Sequence, residues 1–150
     1  MESMMISFLA SKQGKPVPEA EVHDRYNRLR WQALFGIFIG YAAYYILRNN
    51  FLLSSPDLIR DFGFTKQDIG FVSGTMLIIY GVSKGLMSAL ADKSNPKHFM
   101  IFGLVMSALV NLMMGFTTAF WIFFLLCMLN GIFQGMGAGP AYVVLASWFP

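Results

Sequence analysis

The sequence predicts an all-α membrane protein, and its charge content is the first reason. Only 13% of the 150 residues are charged and 56% are apolar, whereas soluble domains carry about 25% charged residues. No Asp, Glu, Lys or Arg occurs from Phe99 to Pro150, and a helix of that length would cross a hydrocarbon core of about 30 Å more than once. A soluble enzyme is therefore excluded. A net charge of +3 without a basic patch also excludes a nucleic-acid-binding protein.

The chain divides into a polar N-terminal segment and an apolar remainder. Residues 1–30 carry charges of both signs and predict a cytoplasmic tail that ends in an amphipathic helix, from about Glu19 to Arg30. Residues 31–150 predict four transmembrane helices. They run from about Trp31 to Phe51, from about Ile69 to Ala91, from about Phe99 to Phe116 and from about Ala119 to Trp148. Glycines and Pro140 make the fourth helix irregular, and a fifth span after Pro140 is the alternative.

The distribution of basic residues predicts the orientation of these helices. Five Lys or Arg residues precede the first span, and Lys93 and Lys97 lie in the short link between the second and third spans. The link between the first and second spans contains Arg60 and Lys66. Because Lys and Arg accumulate in cytoplasmic loops, the pattern predicts that the N-terminus and the end of the fourth span both lie in the cytoplasm.

Two basic residues inside the predicted spans are the strongest indication of a binding site. Arg48 lies in the first span and Lys84 in the second, and none of the four spans contains Asp or Glu. A basic residue at the centre of a membrane helix costs about 2.5–3.5 kcal/mol on insertion scales, and one interpretation is that a bound anion supplies the counter-charge. The alternative is that both side chains extend along the helix to the membrane surface.

Tyrosines at helical spacing favour the anion site. Tyr41, Tyr45 and Arg48 fall on one face of the first helix, and Tyr80 and Lys84 are one turn apart on the second. Phenol hydroxyls donate hydrogen bonds. The arginine side chain can bind one phosphate group through two N–H···O hydrogen bonds at once. The alternative for the tyrosines is the aromatic belt at the membrane interface.

The remaining polar residues indicate packing rather than catalysis. Asn130 and Gln134 are one turn apart and predict interhelical hydrogen bonds, while glycine pairs such as Gly131 and Gly135 fit close helix contacts. No spacing fits a metal site or a nucleophile and its base, and the single Cys127 cannot form an intrachain disulfide. We therefore expect no metal, no cofactor and no enzymatic activity.

Four ordered segments carry a family resemblance. The charged link from Asp92 to Lys97 resembles the loop between helices 2 and 3 of the major facilitator superfamily. Together with three further segments it resembles the organophosphate:inorganic phosphate antiporters of bacteria. Those segments run from Gly40 to Phe51, from Tyr80 to Gly85 and from Phe133 to Gly137.

The resemblance implies a fold of twelve helices in two halves, of which this chain supplies the first four. It implies that Arg48 holds the phosphate, that Lys84, Tyr41, Tyr45 and Tyr80 line the same cavity, and that a second arginine comes from the missing C-terminal half of the same chain. Asp92, Lys93 and Lys97 would form a loop that stabilises one conformation. Because the sequence stops directly after a predicted span, we expect it to be the N-terminal part of a longer protein.

The resemblance also implies a function. We expect a multi-pass protein of the bacterial inner membrane that exchanges a phosphorylated three-carbon acid, such as phosphoglycerate, for inorganic phosphate by alternating access. Ala138, Gly139 and Pro140 replace an aromatic-containing run of the members that carry glycerol 3-phosphate, which argues against that substrate. One alternative is a transporter-like sensor that binds hexose phosphate and signals to a membrane kinase. The other is a four-span scaffold or channel subunit complete in itself.

Overall fold

The computed structural model describes residues 18–149, and this part of the chain folds into five α-helices. They are α1 (Glu19–Phe62), α2 (Lys66–Ala91), α3 (Pro96–Met114), α4 (Phe120–Gln134) and α5 (Ala138–Trp148). The predicted tail over residues 1–17 lies outside the described residues.

Three stretches within residues 18–149 are long and apolar enough to cross a membrane. They are Lys66–Ala91, Pro96–Met114 and the 29-residue stretch Phe120–Trp148, which contains both α4 and α5. These stretches correspond to the second, third and fourth predicted spans. The first predicted span is not among them, because tyrosines and Arg48 interrupt the apolar part of α1.

Helix α1 is longer than the sequence predicts at both ends. Its 44 residues run without a break through Arg30 and Trp31 and continue past Phe51, with Pro56 inside the helix. Proline has no N–H to donate to the carbonyl of Leu52, but the Ser55 hydroxyl donates to that carbonyl at 2.7 Å. The carbonyl is therefore satisfied, and the last turns of α1 replace most of the predicted first loop.

Short capped links join the first three helices. Gly63 ends α1 with a φ of 70°, a left-handed conformation that glycine adopts without steric cost. The Thr65 hydroxyl accepts from the Asp68 N–H at 3.1 Å while the Asp68 carboxylate accepts from the Thr65 N–H at 2.8 Å. Asn95 caps α3 in a similar way by accepting from the Lys97 N–H at 3.1 Å.

Helix α4 packs against α2 and α3. Helix α5 packs against α1, α2 and α3, and α1 also packs against α3. Aromatic contacts close the core near the link between α1 and α2, where the Phe64 ring centre lies 5.7 Å from that of Phe123. Phe51, Val72, Met76 and Cys127 extend this core along the helices.

The predicted irregularity of the fourth span is a break between α4 and α5 at residues 135–137. Around it, glycines at four-residue spacing bring α4 and α5 close to α2. A Cβ atom on Gly135 would lie 2.8 Å from the backbone nitrogen of Lys84, and one on Gly139 would lie 2.7 Å from the Cα of Ser88. The absence of side chains at these two positions therefore sets how closely α5 approaches α2.

Candidate anion-binding site

Helix α1 presents a row of tyrosines that leads to Arg48. The ring centres of Tyr41 and Tyr45 are 5.4 Å apart, and Cζ of Arg48 lies 5.1 Å from the centre of the Tyr45 ring. Tyr44 is only 1% exposed, and its hydroxyl donates to the Met100 carbonyl of α3 at 2.9 Å. Tyr44 therefore anchors α1 on α3, whereas Tyr41 is half-buried and Tyr45 is exposed.

Helix α2 places Tyr80 and Lys84 opposite this row. Cζ of Arg48 lies 4.0 Å from the centre of the Tyr80 ring, which is within cation–π distance. Between these two residues of α2, Ser83 is buried and its hydroxyl donates to the Ile132 carbonyl of α4 at 2.7 Å. This hydrogen bond fixes the rotation of α2 on α4, so Tyr80 and Lys84 flank the contact.

The two basic side chains have no carboxylate to balance them in the described part of the chain. Within residues 18–149, the ion pairs are those of Arg60 with Asp57 and Asp61, on an exposed turn of α1. The Nε atom of Arg48 is buried and has no hydrogen-bond partner among the same residues. A buried donor of a charged group is costly to leave unpaired, so Arg48 has the properties of an anion ligand.

The structure adds Tyr142, a residue that was not predicted from the sequence. Tyr142 of α5 projects toward Lys84, whose Nζ lies 6.0 Å from the centre of the Tyr142 ring. Tyr142 also lines a cavity of about 280 Å³ with Tyr41 and six apolar residues. In the sequence, Tyr142 is a single tyrosine in the irregular half of the fourth span. Its spacing to the other tyrosines carries no information, because it lies on another helix.

The charged link between α2 and α3 lies apart from these residues. Asp92 ends α2, and its N–H donates to the Ser88 carbonyl at 3.3 Å. Asp92, Lys93 and Lys97 are exposed, and their side chains form no ion pair with any residue from 18 to 149. Asp92 is two turns beyond Lys84, about 12 Å along the helix, so the link does not contribute to the cluster around Arg48.

Asn130 and Gln134 form the predicted interhelical hydrogen bonds. The Ser107 hydroxyl of α3 donates to Oδ1 of Asn130 at 2.6 Å and accepts from Nε2 of Gln134 at 2.9 Å. Asn111 donates to Oδ1 of Asn130 at 3.3 Å, and Asn50 of α1 donates to Asn111 at 3.4 Å. This polar network joins α1, α3 and α4 and confirms the packing role predicted for Asn130 and Gln134.

No group of three or more His, Cys, Asp or Glu side chains that could hold a metal ion occurs within the described residues. The side chains that converge are instead two cations and four phenols, contributed by α1, α2 and α5. Such a cluster can bind an anion through charge and through N–H and O–H donors. The fold and the cluster together define a multi-pass helical membrane protein with a candidate anion site.

Comparison with known proteins identifies the family. Residues 35–150 match the Major Facilitator Superfamily, and the chain belongs to that superfamily. It is 51% identical to the phosphoglycerate transporter protein of Salmonella typhimurium, over 97% of this chain and 32% of the relative. Together with the apolar helices, this membership makes it a multi-pass protein of the bacterial inner membrane.

Other relatives broaden the comparison. The glycerol-3-phosphate transporter of Bacillus subtilis is 42% identical over 90% of this chain and 32% of its own length. The membrane sensor protein UhpC of Salmonella typhimurium is 36% identical over 97% of this chain and 33% of its own length. These matches confirm the predicted family resemblance. The chain spans about a third of the length of these relatives, and no solved structure gives a significant match.

Proposed function

We propose that the chain is the N-terminal part of a secondary transporter that exchanges an organophosphate for inorganic phosphate by alternating access. The observation that carries the proposal is the unbalanced charge of Arg48 and Lys84, together with the buried Nε of Arg48 that has no partner among residues 18–149. The names of the relatives, a phosphoglycerate transporter and a glycerol-3-phosphate transporter, support a phosphorylated small molecule as the substrate. Phosphoglycerate or a similar compound is the substrate that we propose.

The residues around Arg48 have separate roles in this proposal. Arg48 binds the phosphate group through two of its N–H donors, because the planar guanidinium matches the spacing of two phosphate oxygens. Tyr41, Tyr45 and Tyr80 donate hydrogen bonds from their hydroxyl groups. Lys84 adds a second positive charge, which a dianionic ligand neutralises.

Charge balance then explains why the transport is an exchange. A site with two uncompensated cations is costly to enclose in the low-dielectric interior of the protein while the two halves reorient around it. A bound phosphate or organophosphate lowers that cost in both directions. The site therefore reorients when it is loaded, and inward movement of one anion is coupled to outward movement of another.

We extend the proposal to the architecture of the whole protein. The described helices belong to the first four of twelve transmembrane helices, with residues 1–30 and the end of the fourth helix in the cytoplasm. A C-terminal half supplies a second arginine opposite Arg48. Asp92, Lys93 and Lys97 form a cytoplasmic loop that stabilises one conformation, and the protein catalyses no covalent chemistry.

The test uses the full-length protein in proteoliposomes loaded with inorganic phosphate. We expect labelled 3-phosphoglycerate to enter faster than labelled glycerol 3-phosphate or glucose 6-phosphate, and we expect entry to require phosphate inside. The 150-residue chain alone should transport nothing, because it lacks the second half of the site. Uptake that does not depend on internal phosphate would contradict the exchange mechanism.

A sensor is the second candidate, and the 36% identity to the membrane sensor protein UhpC is the observation that favours it. A sensor needs the same anion site but not the reorientation of the two halves. Saturable binding of an organophosphate without counterflow in the same liposomes would support the sensor and contradict the transporter.

A further inference from the structure

Lys84 and Tyr142 form a second polar pair beside the Arg48 cluster. Nζ of Lys84 lies 6.0 Å from the centre of the Tyr142 ring, at the limit of a cation–π contact. Tyr142 is 61% exposed, and its hydroxyl has no hydrogen-bond partner among residues 18–149. The pair therefore offers one positive charge and one free O–H donor on the same side of the bundle.

The packing of α5 on α2 fixes this pair. Gly135 lies against the backbone of Lys84, and Gly139 lies against Ser88 one turn further along α2. Tyr142 follows Gly139 by three residues on α5. Because α5 meets α2 through these glycines, its position on α2 is set by close helix contact rather than by a flexible loop, and the Lys84 side chain extends toward the Tyr142 ring.

The pair is distinct from the contact that holds Arg48. The guanidinium of Arg48 lies over the ring of Tyr80, with Cζ 4.0 Å from its centre, and Tyr80 precedes Lys84 by four residues on α2. One turn of helix rises about 5.4 Å. The described residues thus present two cationic poles, Arg48 with Tyr80 and Lys84 with Tyr142, rather than one concentrated charge.

We propose that Lys84 and Tyr142 form a subsite for the carboxylate of a phosphorylated carboxylic acid whose phosphate is bound at Arg48. The inference rests on the proposed function and names the substrate class of that site. A three-carbon phosphorylated acid carries its two anionic groups at opposite ends, so that each of the two cationic poles can bind one of them. The Lys84 ammonium supplies the counter-charge to the carboxylate, and the Tyr142 hydroxyl donates a hydrogen bond to one of its oxygens.

The test compares two ligands that differ only at this group. 3-Phosphoglycerate has a carboxylate where glycerol 3-phosphate has a hydroxymethyl group. The purified full-length protein is titrated with each ligand to displace labelled inorganic phosphate, so that the readout is binding and does not require transport. The variants are Tyr142→Phe and Lys84→Gln, and the control is Tyr26→Phe, which removes a hydroxyl that donates to the Trp148 carbonyl outside the site.

We expect the wild type and Tyr26→Phe to prefer 3-phosphoglycerate by the same factor. Tyr142→Phe should reduce that preference about tenfold, because a hydrogen bond to a charged group is lost, and Lys84→Gln should abolish it. An unchanged preference in Tyr142→Phe, or an equal loss of affinity for both ligands, would overturn the subsite. So would a wild type that does not discriminate between the ligands or binds neither. If the protein preferred 3-phosphoglycerate but showed no counterflow in liposomes, the subsite would be supported and the proposed transport function would be contradicted.

Discussion

Cζ of Arg48 lies 4.0 Å from the centre of the Tyr80 ring, and this contact joins α1 to α2. The two helices otherwise pack mainly on their neighbours, α1 on α3 and α5 and α2 on α4 and α5. An aromatic ring beneath the guanidinium stabilises its positive charge. The ring accepts few hydrogen bonds from the guanidinium N–H groups, because these groups point outward in the plane of the guanidinium. Tyr80 therefore positions Arg48 without pairing its N–H donors.

The shape of the Arg48 side chain should matter more than its charge. We expect Arg48→Lys to lower phosphate-dependent uptake of 3-phosphoglycerate at least tenfold, because an ammonium cannot form the paired hydrogen bonds of a guanidinium, which are worth about 1.5–3 kcal/mol each. The measurement is initial uptake in proteoliposomes. Arg60→Lys is the control, since Arg60 is exposed and pairs with Asp57 at 3.0 Å. If Arg48→Lys took up 3-phosphoglycerate at the wild-type rate, the Arg48 side chain would not bind the phosphate and would instead extend to the membrane surface.

The proposed orientation predicts which links are accessible from outside the cell. Lys93 lies in the link between α2 and α3, and Thr118 lies in the link between α3 and α4; both are exposed. In intact cells, a membrane-impermeant maleimide should label Thr118→Cys but not Lys93→Cys, and it should label both after the membrane is permeabilised. Cys127 is fully buried and should stay unlabelled in the folded protein. Labelling of Lys93→Cys but not Thr118→Cys in intact cells would show that the topology is opposite to the proposed one.

Much of the fold followed from the sequence because apolar runs, caps and breakers act locally. The second and third spans were predicted from composition, and Thr65 and Asn95 cap the helices that begin there. The end of α1 was not predicted, because the helix continues past the predicted end at Phe51 and through Pro56, although proline normally stops a helix. Its tolerance depends on the hydroxyl of Ser55, which reaches the carbonyl of Leu52 and has no distinctive sequence pattern.

The candidate site was predictable only within each helix. Spacing placed Tyr41, Tyr45 and Arg48 together, because these residues share one helix face. Tyr142 was missed because its position beside Lys84 depends on how α5 crosses α2. The glycine pairs also differ in their contacts with other helices. Gly131 and Gly135 lie close to α2, whereas a Cβ on Gly70 or Gly74 would meet nothing within 4 Å. The spacing of glycines therefore does not by itself reveal which helices touch.

The polar network in the core should contribute measurably to stability. Asn130→Ala removes the acceptor of the buried Ser107 hydroxyl and one of the two acceptors of the Asn111 amide, which keeps its hydrogen bond to the Ser107 carbonyl. We expect the free energy of unfolding in detergent to fall by about 1–2 kcal/mol, since interhelical hydrogen bonds in membranes are individually modest. Asn27→Ala is the control, because Asn27 is exposed near the start of α1. Equal stability of the two variants would show that the network is not stabilising.

A single added methyl group should be disruptive where α4 and α5 cross α2. A Cβ on Gly135 would lie 2.8 Å from both the backbone nitrogen of Lys84 and the backbone carbonyl carbon of Ser83. Neither helix can give way there by rotating a side chain. We therefore expect Gly135→Ala to lower the free energy of unfolding by about 1–3 kcal/mol through overpacking.

The same variant should weaken ligand binding, because Lys84 lies at the contact that the methyl group would force apart. Thermal unfolding in detergent and displacement of labelled phosphate measure the two effects. Gly74→Ala is the matched control on α2, where the added methyl group meets nothing within 4 Å and should stabilise the helix by about 0.5–1 kcal/mol. If Gly135→Ala were as stable as Gly74→Ala and bound phosphate equally well, the close approach of α4 to Lys84 would not be what positions this residue.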